Sequence, residues 1–328
     1  MNVNIRQYFS PAAIGAHLLQ LPKINTFIMD LIYGNRITHP LPVLGVEELV
    51  EINGNVPVVR RGTAAYPLAG SSKGLSYLEP QPVDVSSFLG AAELNNLKLL
   101  GDKGIQYWVR SKVDSQRRVI RSTTEALACQ SLTGKISYAM KTDSGLISYD
   151  VDFGSILSYT ISKKWDAAGT TVADILMDLI AMQTVIQNKS GYGAQVAYLA
   201  GKKAYVNLAN KVLGLDGESK IKAEVTEKGI SIAGFTVMLA SGGYKDLLDG
   251  GTYVPAVADH HIQAVALDAP WKLFYCALDD LDANLLPMPF YSKPVKKDNP
   301  SGYDIIGMSK PVPVPAVNGT CRSVATAA

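Results

Sequence analysis

A long amphipathic helix is the strongest constraint that the sequence places on the fold. Between residues 93 and 133, apolar side chains recur at spacings of three, four and seven, at Ile105, Trp108, Val109, Val113, Ile120 and Leu127. Such spacings place these side chains on one face of an α-helix. A helix of about 28 residues spans roughly 42 Å at 1.5 Å per residue, which is longer than a compact domain usually needs. We therefore expect this segment to serve as a strut.

An extended ribbon precedes the strut. Residues 56–83, VPVVRRGTAAYPLAGSSKGLSYLEPQPV, contain two extended runs around a Gly/Ser turn, with Arg60, Arg61 and Gly62 in the first run and Lys73 in the turn. A two-stranded ribbon is only marginally stable alone in water. The ribbon therefore needs a further surface on which to pack.

The segments around these two features predict a mixture of helices and strands. They indicate a short helix in residues 24–34, and a hairpin in residues 135–154 that follows a helix end at Gly134. Further along, they indicate a helix capped by Thr170 or Thr171, a buried strand at 194–200 and a second helix that ends at Gly214. Strands are expected around residues 229–241 and 262–270. Helices and strands that alternate in this way form a mixed unit. We expect an α+β fold.

Prolines at 311, 313 and 315 define an unusual strand near the end of the chain. Alternate residues of a strand direct their N–H groups to the same edge, so these prolines remove the donors from one edge. Val312 and Val314 keep the donors of the other edge. The segment is therefore predicted to pair on one side only.

The composition indicates a protein whose surface is partly covered by partners. Charged residues make up 18% of the chain and hydrophobic residues 47%, which is a low charge for a soluble surface. The formal net charge of +2 predicts no strong attraction to nucleic acid or to an anionic membrane.

No secretory signal and no membrane-spanning apolar run is visible, so we expect a soluble protein made inside a cell. Cys129, Cys276 and Cys321 are expected to be buried or unreactive thiols.

Candidate reactive groups are few. Adjacent His260 and His261 point apart in a strand or a helix, so we interpret them as a turn or interface pair and not as zinc ligands. No phosphate-binding loop is predicted, because the lysine motif of such loops is absent. Cys129 has no histidine near it in the sequence and is therefore not interpreted as a catalytic thiol. The cluster Asp279, Asp280 and Asp282 has no partner base and is interpreted as a solvated turn. Neither an enzyme, nor a metal site, nor a cofactor is predicted.

Charges of opposite sign are concentrated in two parts of the chain. Residues 103–135 contain seven Lys or Arg and two acids, whereas residues 243–283 contain seven Asp and two Lys. These regions are either solvated faces, or complementary surfaces between copies of the chain, or include a basic face that meets packaged nucleic acid. The basic face would include Arg110, Arg117 and Arg121.

The order of these parts resembles the Hong Kong 97-type viral capsid fold, and in particular the lambda-like phage major capsid protein E family. The segments that carry the resemblance are VVRRG (58–62), YLEPQPV (77–83), GKISY (134–138), YDVDFG (149–154), KKWDAAGTTVADI (163–175) and PMPFYSKPVKKDNPSGYDIIGMSKPVPVP (287–315). One departure is the helix cap near residue 171, which is Thr-rich here and Asp-rich in the family.

The resemblance implies a division of the chain into the parts of that fold. The expected parts are an N-terminal arm (1–43), an extended E-loop hairpin (44–91), a P-domain with the long spine helix and a β-hairpin (92–166), a mixed A-domain (167–287), and return strands of the P-domain with a C-terminal tail (288–328). In this scheme the ribbon is the E-loop, and the strut is the spine helix.

The resemblance also implies a function. The chain is expected to be the major capsid protein of a tailed bacteriophage or prophage, assembled in the host cytoplasm from pentamers and hexamers into an icosahedral shell around double-stranded DNA. Portal, scaffold and decoration proteins are the implied partners, and no membrane is involved. Arg60, Arg61, Gly62 and Lys73 are the expected E-loop interface residues. A covalent cross-link from Lys73 to Asn299 or Asn318 is not expected.

Two other readings remain open at this point. A cellular compartment of the encapsulin type would share the fold but would enclose cargo proteins instead of a genome. An enzyme or a monomeric binding module would need a pocket with converging polar groups, and the sequence does not show one.

Overall fold

The fold combines six α-helices with several small sheets in the part of the chain that the structure describes. The computed structural model describes residues 5–45, 77–99, 101–215 and 221–327. The helices are α1 (Pro11–Gln20), α2 (Phe27–Leu31), α3 (Ala91–Leu99), α4 (Gly101–Ser131), α5 (Val172–Ser190) and α6 (Lys202–Leu213), with 3-10 turns at Ile5–Phe9 and Val317–Gly319. The predicted α+β class is confirmed.

Seventeen strands are described. They are β1 (Asn35–His39), β2 (Val83–Gly90), β3 (Lys135–Thr142), β4 (Gly145–Asp152), β5 (Leu157–Ser158), β6 (Val196–Ala200), β7 (Ala223–Thr226), β8 (Gly229–Ile232), β9 (Phe235–Leu239), β10 (Gly243–Asp246), β11 (Thr252–Pro255), β12 (His261–Ala266), β13 (Lys272–Cys276), β14 (Tyr291–Lys297), β15 (Gly302–Ser309), β16 (Pro311–Val314) and β17 (Thr320–Val324).

The predicted strut is helix α4, which is 31 residues long. Its N-terminal part contributes Ile105, Val109, Val113 and Ile120 to a hydrophobic cluster that also contains the buried Leu89 and Ile305. Its C-terminal end contributes Ala128 and Cys129 to the largest cluster, together with Tyr33 and Trp165. Because one rigid helix supplies side chains to both clusters, it fixes their relative position.

A glycine ends the strut, as predicted. Gly134 has a φ of +80°, and a Cβ atom at this position would lie 2.2 Å from the carbonyl oxygen of Gly154. The Gly134 carbonyl in turn accepts a hydrogen bond from the N–H of Phe153 at 2.9 Å. The chain then continues into the antiparallel hairpin β3–β4, which confirms the predicted hairpin.

The largest sheet has seven strands in the order β5-β17-β12-β6-β9-β8-β7. Helix α5 packs on it against strands β12 and β17. The cap predicted at Thr170 or Thr171 is made by Thr171, whose side chain and backbone exchange hydrogen bonds with Asp174 in a capping box. The predicted strand at 194–200 is β6, and the predicted second helix is α6, which reaches its C-cap at Gly214. These local predictions are confirmed.

A three-stranded sheet, β14-β15-β2, packs against the strut. The side-chain amide of Gln116 on α4 donates to the carbonyl of Ile305 at 2.7 Å and accepts from the hydroxyl of Ser292 at 3.0 Å. Gly307 permits this close approach, since a Cβ there would lie 2.7 Å from the Gln116 Oε1 atom. Helix and sheet are therefore joined by buried polar contacts as well as apolar ones.

The proline-rich strand is at an edge, as predicted. Strand β16 lies at the end of a three-stranded sheet with the order β1-β13-β16 and pairs only with β13 in that sheet. Its four residues are all buried, and helix α4 lies close to it. The prolines therefore end the ladder at a position that other parts of the chain cover.

We expect replacement of Gly134 by Ala to lower the free energy of unfolding by about 2–4 kcal/mol, because it combines an unfavourable positive φ with an overlap on the Gly154 carbonyl. Urea denaturation of the full-length chain measures this. Gly145→Ala in the same hairpin is the matched control: its φ is +124° but no atom lies within 4 Å of the added Cβ. Equal losses in the two variants would show that the close approach contributes nothing.

Candidate assembly surfaces

Residues 44 and 78, which enclose most of the predicted E-loop (44–91), form one backbone bridge. The N–H of Leu44 donates to the carbonyl of Leu78, and the N–H of Leu78 donates to the carbonyl of Leu44, both at 2.9 Å. Leu44 is fully buried and packs with Phe274 and Val312 of the proline-edged sheet. Both ends of the intervening segment are thus anchored on that sheet. The predicted interface residues Arg60, Arg61, Gly62 and Lys73 lie outside the described residues.

The returning chain enters the sheet beside the strut. Strand β2 pairs with β15 over its whole length, from Val83 opposite Ser309 to Gly90 opposite Gly302. A Cβ at Gly302 would lie 2.3 Å from the carbonyl oxygen of Leu89, so the two strands approach closely here. From Val83 onward, therefore, the chain belongs to the sheet on the strut.

Residues 17–36, called the N-terminal segment below, are fixed to the strut by a buried carboxylate. Glu125 on α4 accepts hydrogen bonds from the N–H groups of Ile28 (2.7 Å) and Met29 (2.9 Å) in the first turn of α2. Thr26 at the N-cap makes no capping hydrogen bond with its side chain, so Glu125 replaces the missing cap. Burial raises the pKa of Glu125, and the two N–H donors oppose this increase.

An arginine network lies next to this cap. Arg121 donates from Nη2 to Thr26 Oγ1 and to Asp30 Oδ1, both at 2.8 Å. Arg36 donates to the same oxygen of Asp30 at 2.7 Å. Burial tends to raise the pKa of Asp30, but hydrogen bonds from Thr26 and Arg36 and the charge of Arg121 lower it to about 2. The N-terminal segment and the strut are therefore also joined by charge.

The three arginines of the predicted basic face all contact this N-terminal segment. Arg110 donates from Nε to Nδ1 of His17 at 3.1 Å, and Arg117 donates to the carbonyl of Pro22 at 2.7 Å. Arg121 makes the contacts described above, and the side chains of Arg117 and Arg121 are only 16% and 17% exposed. All three arginines therefore hold the N-terminal segment on the strut, a role that the sequence did not predict. Their predicted contact with a genome or scaffold remains a prediction.

Glu125 is the functional residue of this surface that the sequence analysis missed. A signal for it exists in the segment TTEALACQS, where one acid stands among small and apolar residues at the end of the strut. Carboxylates are rarely buried without a partner, so this position could have been assigned a buried cap. Its partners, which lie 96 and 97 residues earlier, could not have been identified.

The acidic cluster differs from the predicted solvated turn at one position. Asp280 has a side chain that is only 12% exposed and pairs with Lys293. Asp279 and Asp282 are exposed, but they pair with Lys310 and Lys293 respectively. These ion pairs form because the turn lies beside strand β14, which supplies Lys293, and beside Lys310, which follows β15. The cluster is therefore part of the fold.

The histidines and cysteines have structural surroundings. His260 contacts Thr326 Oγ1 at 2.9 Å and Lys203 Nζ at 3.0 Å. Cys129, Cys276 and Cys321 are buried, and burial raises the pKa of Cys321 to about 12. Within the described ranges, no three His, Cys, Asp or Glu side chains are arranged to hold a metal ion. None of the described helices has both the length and the apolar character needed to cross a membrane.

The arrangement of strut, anchored loop base, hairpin and mixed sheet is that of a Hong Kong 97-type capsid protein. A protein assigned as the capsid protein of a prophage of E. coli CFT073 aligns over 100% of both chains with a TM-score of 0.64 and 17% identity. A phage-related protein from Bordetella bronchiseptica RB50 aligns over 96% of both chains with a TM-score of 0.50 and 8% identity. A comparison with curated proteins gives no match.

Residues 10–325 match the family model described as Phage major capsid protein E. Since this match covers nearly the whole chain, the protein belongs to that family. The resemblance noted from the sequence is confirmed, and the chain is a major capsid protein that forms a phage head shell.

Asp30 predicts a specific dependence of stability on pH. Because the pKa of Asp30 is lowered in the folded chain to about 2, its stabilising effect is complete above the unfolded pKa near 3.8 and is lost as the pH falls through about 2. We expect wild type to lose about 2 kcal/mol more than Asp30→Asn over this range. Urea denaturation at pH 4.5 and pH 2 measures it. Asp143→Asn in the exposed β3–β4 turn is the control, and an Asp30→Asn chain with the full wild-type loss would contradict the prediction.

Proposed function

We propose that this chain assembles with copies of itself, as pentamers and hexamers, into the icosahedral head of a tailed phage or prophage around double-stranded DNA. The observation that carries the proposal is the family match over residues 10–325 on a chain whose fold aligns end to end with a prophage capsid protein. Assembly in the host cytoplasm, and association with portal, scaffold and decoration proteins, belong to the same proposal. The role is structural and requires no catalytic group.

The anchored loop supports an interface in which copies exchange segments. Leu44 and Leu78 hold both ends of the loop on one sheet, so the ribbon between them can extend to a neighbouring subunit without disturbing its own core. An extended segment gains a covered face and strand pairing when it lies on another chain. In a closed shell each subunit takes part in several such contacts, and the removal of one subunit breaks all of them.

Exposed apolar side chains support contacts on several sides of the subunit. Large apolar residues that are at least 45% exposed lie on different elements, including Leu99 and Tyr107 near the start of α4, Leu146 and Ile147 in the β3–β4 hairpin, Met177 on α5, and Leu281, Leu285 and Leu286 before β14. Their spread over many elements fits a subunit with several neighbours.

We expect wild-type protein to form particles of several megadaltons, and the double substitution of Arg60 and Arg61 by Asp to leave a soluble chain that does not form them. The reason is that Arg60 and Arg61 are proposed to pair with acids of the adjacent subunit. Electron microscopy and sedimentation measure particle formation, and the double Lys variant, which keeps the charge, is the control. Normal shells from the Asp variant would contradict the proposed pairing but not the capsid role.

The particle contents separate the proposed function from the encapsulin-like alternative. Nuclease-protected double-stranded DNA in particles from infected or induced cells is the expected result. Particles that hold a protein cargo and no DNA would overturn the assignment to a genome shell.

The basic face gives a second prediction. If Arg110, Arg117 and Arg121 attract the genome, a triple Gln variant should package less DNA, whereas a triple Lys variant should keep normal filling because phosphate attraction depends mainly on charge. Protected DNA per particle is the measurement. If the arginines only hold the N-terminal segment, both variants should lose stability and neither should lose DNA from the particles that still form.

A further inference from the structure

A cavity of about 280 Å³ lies between the N-terminal segment and the strut. Four basic residues line it: Lys23, Arg36, Arg117 and Arg121. The rest of the wall is largely apolar and includes Leu18 and Phe290. A cavity that combines several cations with an apolar wall differs from a solvated basic surface, since it offers both charge and a place for hydrocarbon.

The cations of this cavity outnumber the acids that contact them. Arg36 and Arg121 share one oxygen of Asp30. Arg117 pairs with Asp114, which also pairs with Arg118 on another side of the strut. Lys23 is exposed at the cavity and has no hydrogen bond or ion pair among the described residues. The carboxylate of Glu125 also acts on Arg121 by charge, so four lining cations stand against three carboxylates, one of which is shared with Arg118.

The guanidinium groups also keep unused donors. The Nε atoms of Arg117 and Arg121 are buried and have no hydrogen-bond partner among the described residues. All of the hydrogen bonds described for these two side chains are made by Nη2. Because these Nε atoms are buried, an anion in the cavity would meet other parts of the basic side chains and would gain mainly from their charge.

The wall selects among anions. Phosphate, whether free or in a nucleic-acid backbone, has no apolar part to cover Leu18 and Phe290. A carboxylate on a short hydrocarbon stem satisfies both parts of the wall. We propose that this cavity binds a carboxylate on an apolar stem, such as a glutamate side chain or a terminal carboxylate of an acidic peptide from a partner protein. This proposal does not depend on the capsid role.

Three small probes test the proposal on the purified full-length protein. Hexanoate supplies the stem and the charge, hexanamide supplies the stem alone, and inorganic phosphate supplies an oxyanion alone. We expect saturation-transfer NMR at constant ionic strength to show saturable binding of hexanoate and much weaker binding of the other two. Equal binding of hexanamide, or phosphate binding as strong as that of hexanoate, would overturn the assignment of the ligand class.

Substitutions locate the binding. Lys23→Gln combined with Arg36→Gln should weaken hexanoate binding about tenfold or more, because each removes a charge from the wall. Asp30 keeps Arg121 as a partner in this variant, which preserves the contact between the N-terminal segment and the strut. Arg118→Gln is the matched control, since Arg118 shares Asp114 but does not line this cavity, and it should leave the affinity within about twofold. Equal loss in both variants, or none in either, would place hexanoate elsewhere.

Discussion

Helix α4 contributes to two hydrophobic clusters at once, and the rest of the structure depends on that sharing. Its first part packs on the β14-β15-β2 sheet, and its last turns are buried in the cluster that the seven-stranded sheet builds. A single rod of 31 residues resists bending because each residue adds a hydrogen bond to an already formed helix. The two clusters therefore cannot shift independently. Gly134 completes the constraint by turning the chain directly into the β3–β4 hairpin.

The N-terminal segment is attached to the strut by polar contacts that are linked through shared residues. Glu125 caps a helix of only five residues, which could not persist alone in water. Arg121 and Arg36 neutralise Asp30, which in turn bonds the N–H of Thr26 just before that helix. Loss of either carboxylate would leave buried donors or charges without partners, and such groups are costly. These polar contacts add to the burial of Ile28 and Met29 in the largest hydrophobic cluster, and together they give the segment one position on the strut.

The elements that could be predicted from the sequence are those whose signals are local. The strut, the hairpin, the Thr171 cap and the one-sided proline strand each follow from spacing or backbone chemistry within a few residues. The partners of Glu125, Arg110 and Lys310 lie tens of residues away, and no local pattern encodes which residue meets which. The acidic turn shows the same limit. The sequence predicts that Asp280 is solvated, because its partner Lys293 lies on strand β14 and no local pattern identifies it. The proposed E-loop residues lie outside the described part of the chain, so their role still rests on the resemblance and the charge.

The loop base sets how far the ribbon can act. The backbones of residues 44 and 78 are hydrogen-bonded to each other. The 33 residues between them therefore begin and end at the same point of the subunit. At roughly 3.3–3.6 Å per extended residue, such a segment can reach about 50 Å from its base. A 35.2 kDa subunit is of comparable size, so this reach is enough to cover a neighbour but not to pass beyond it. In the proposed assembly, the anchoring bridge therefore limits contacts of the ribbon to adjacent copies.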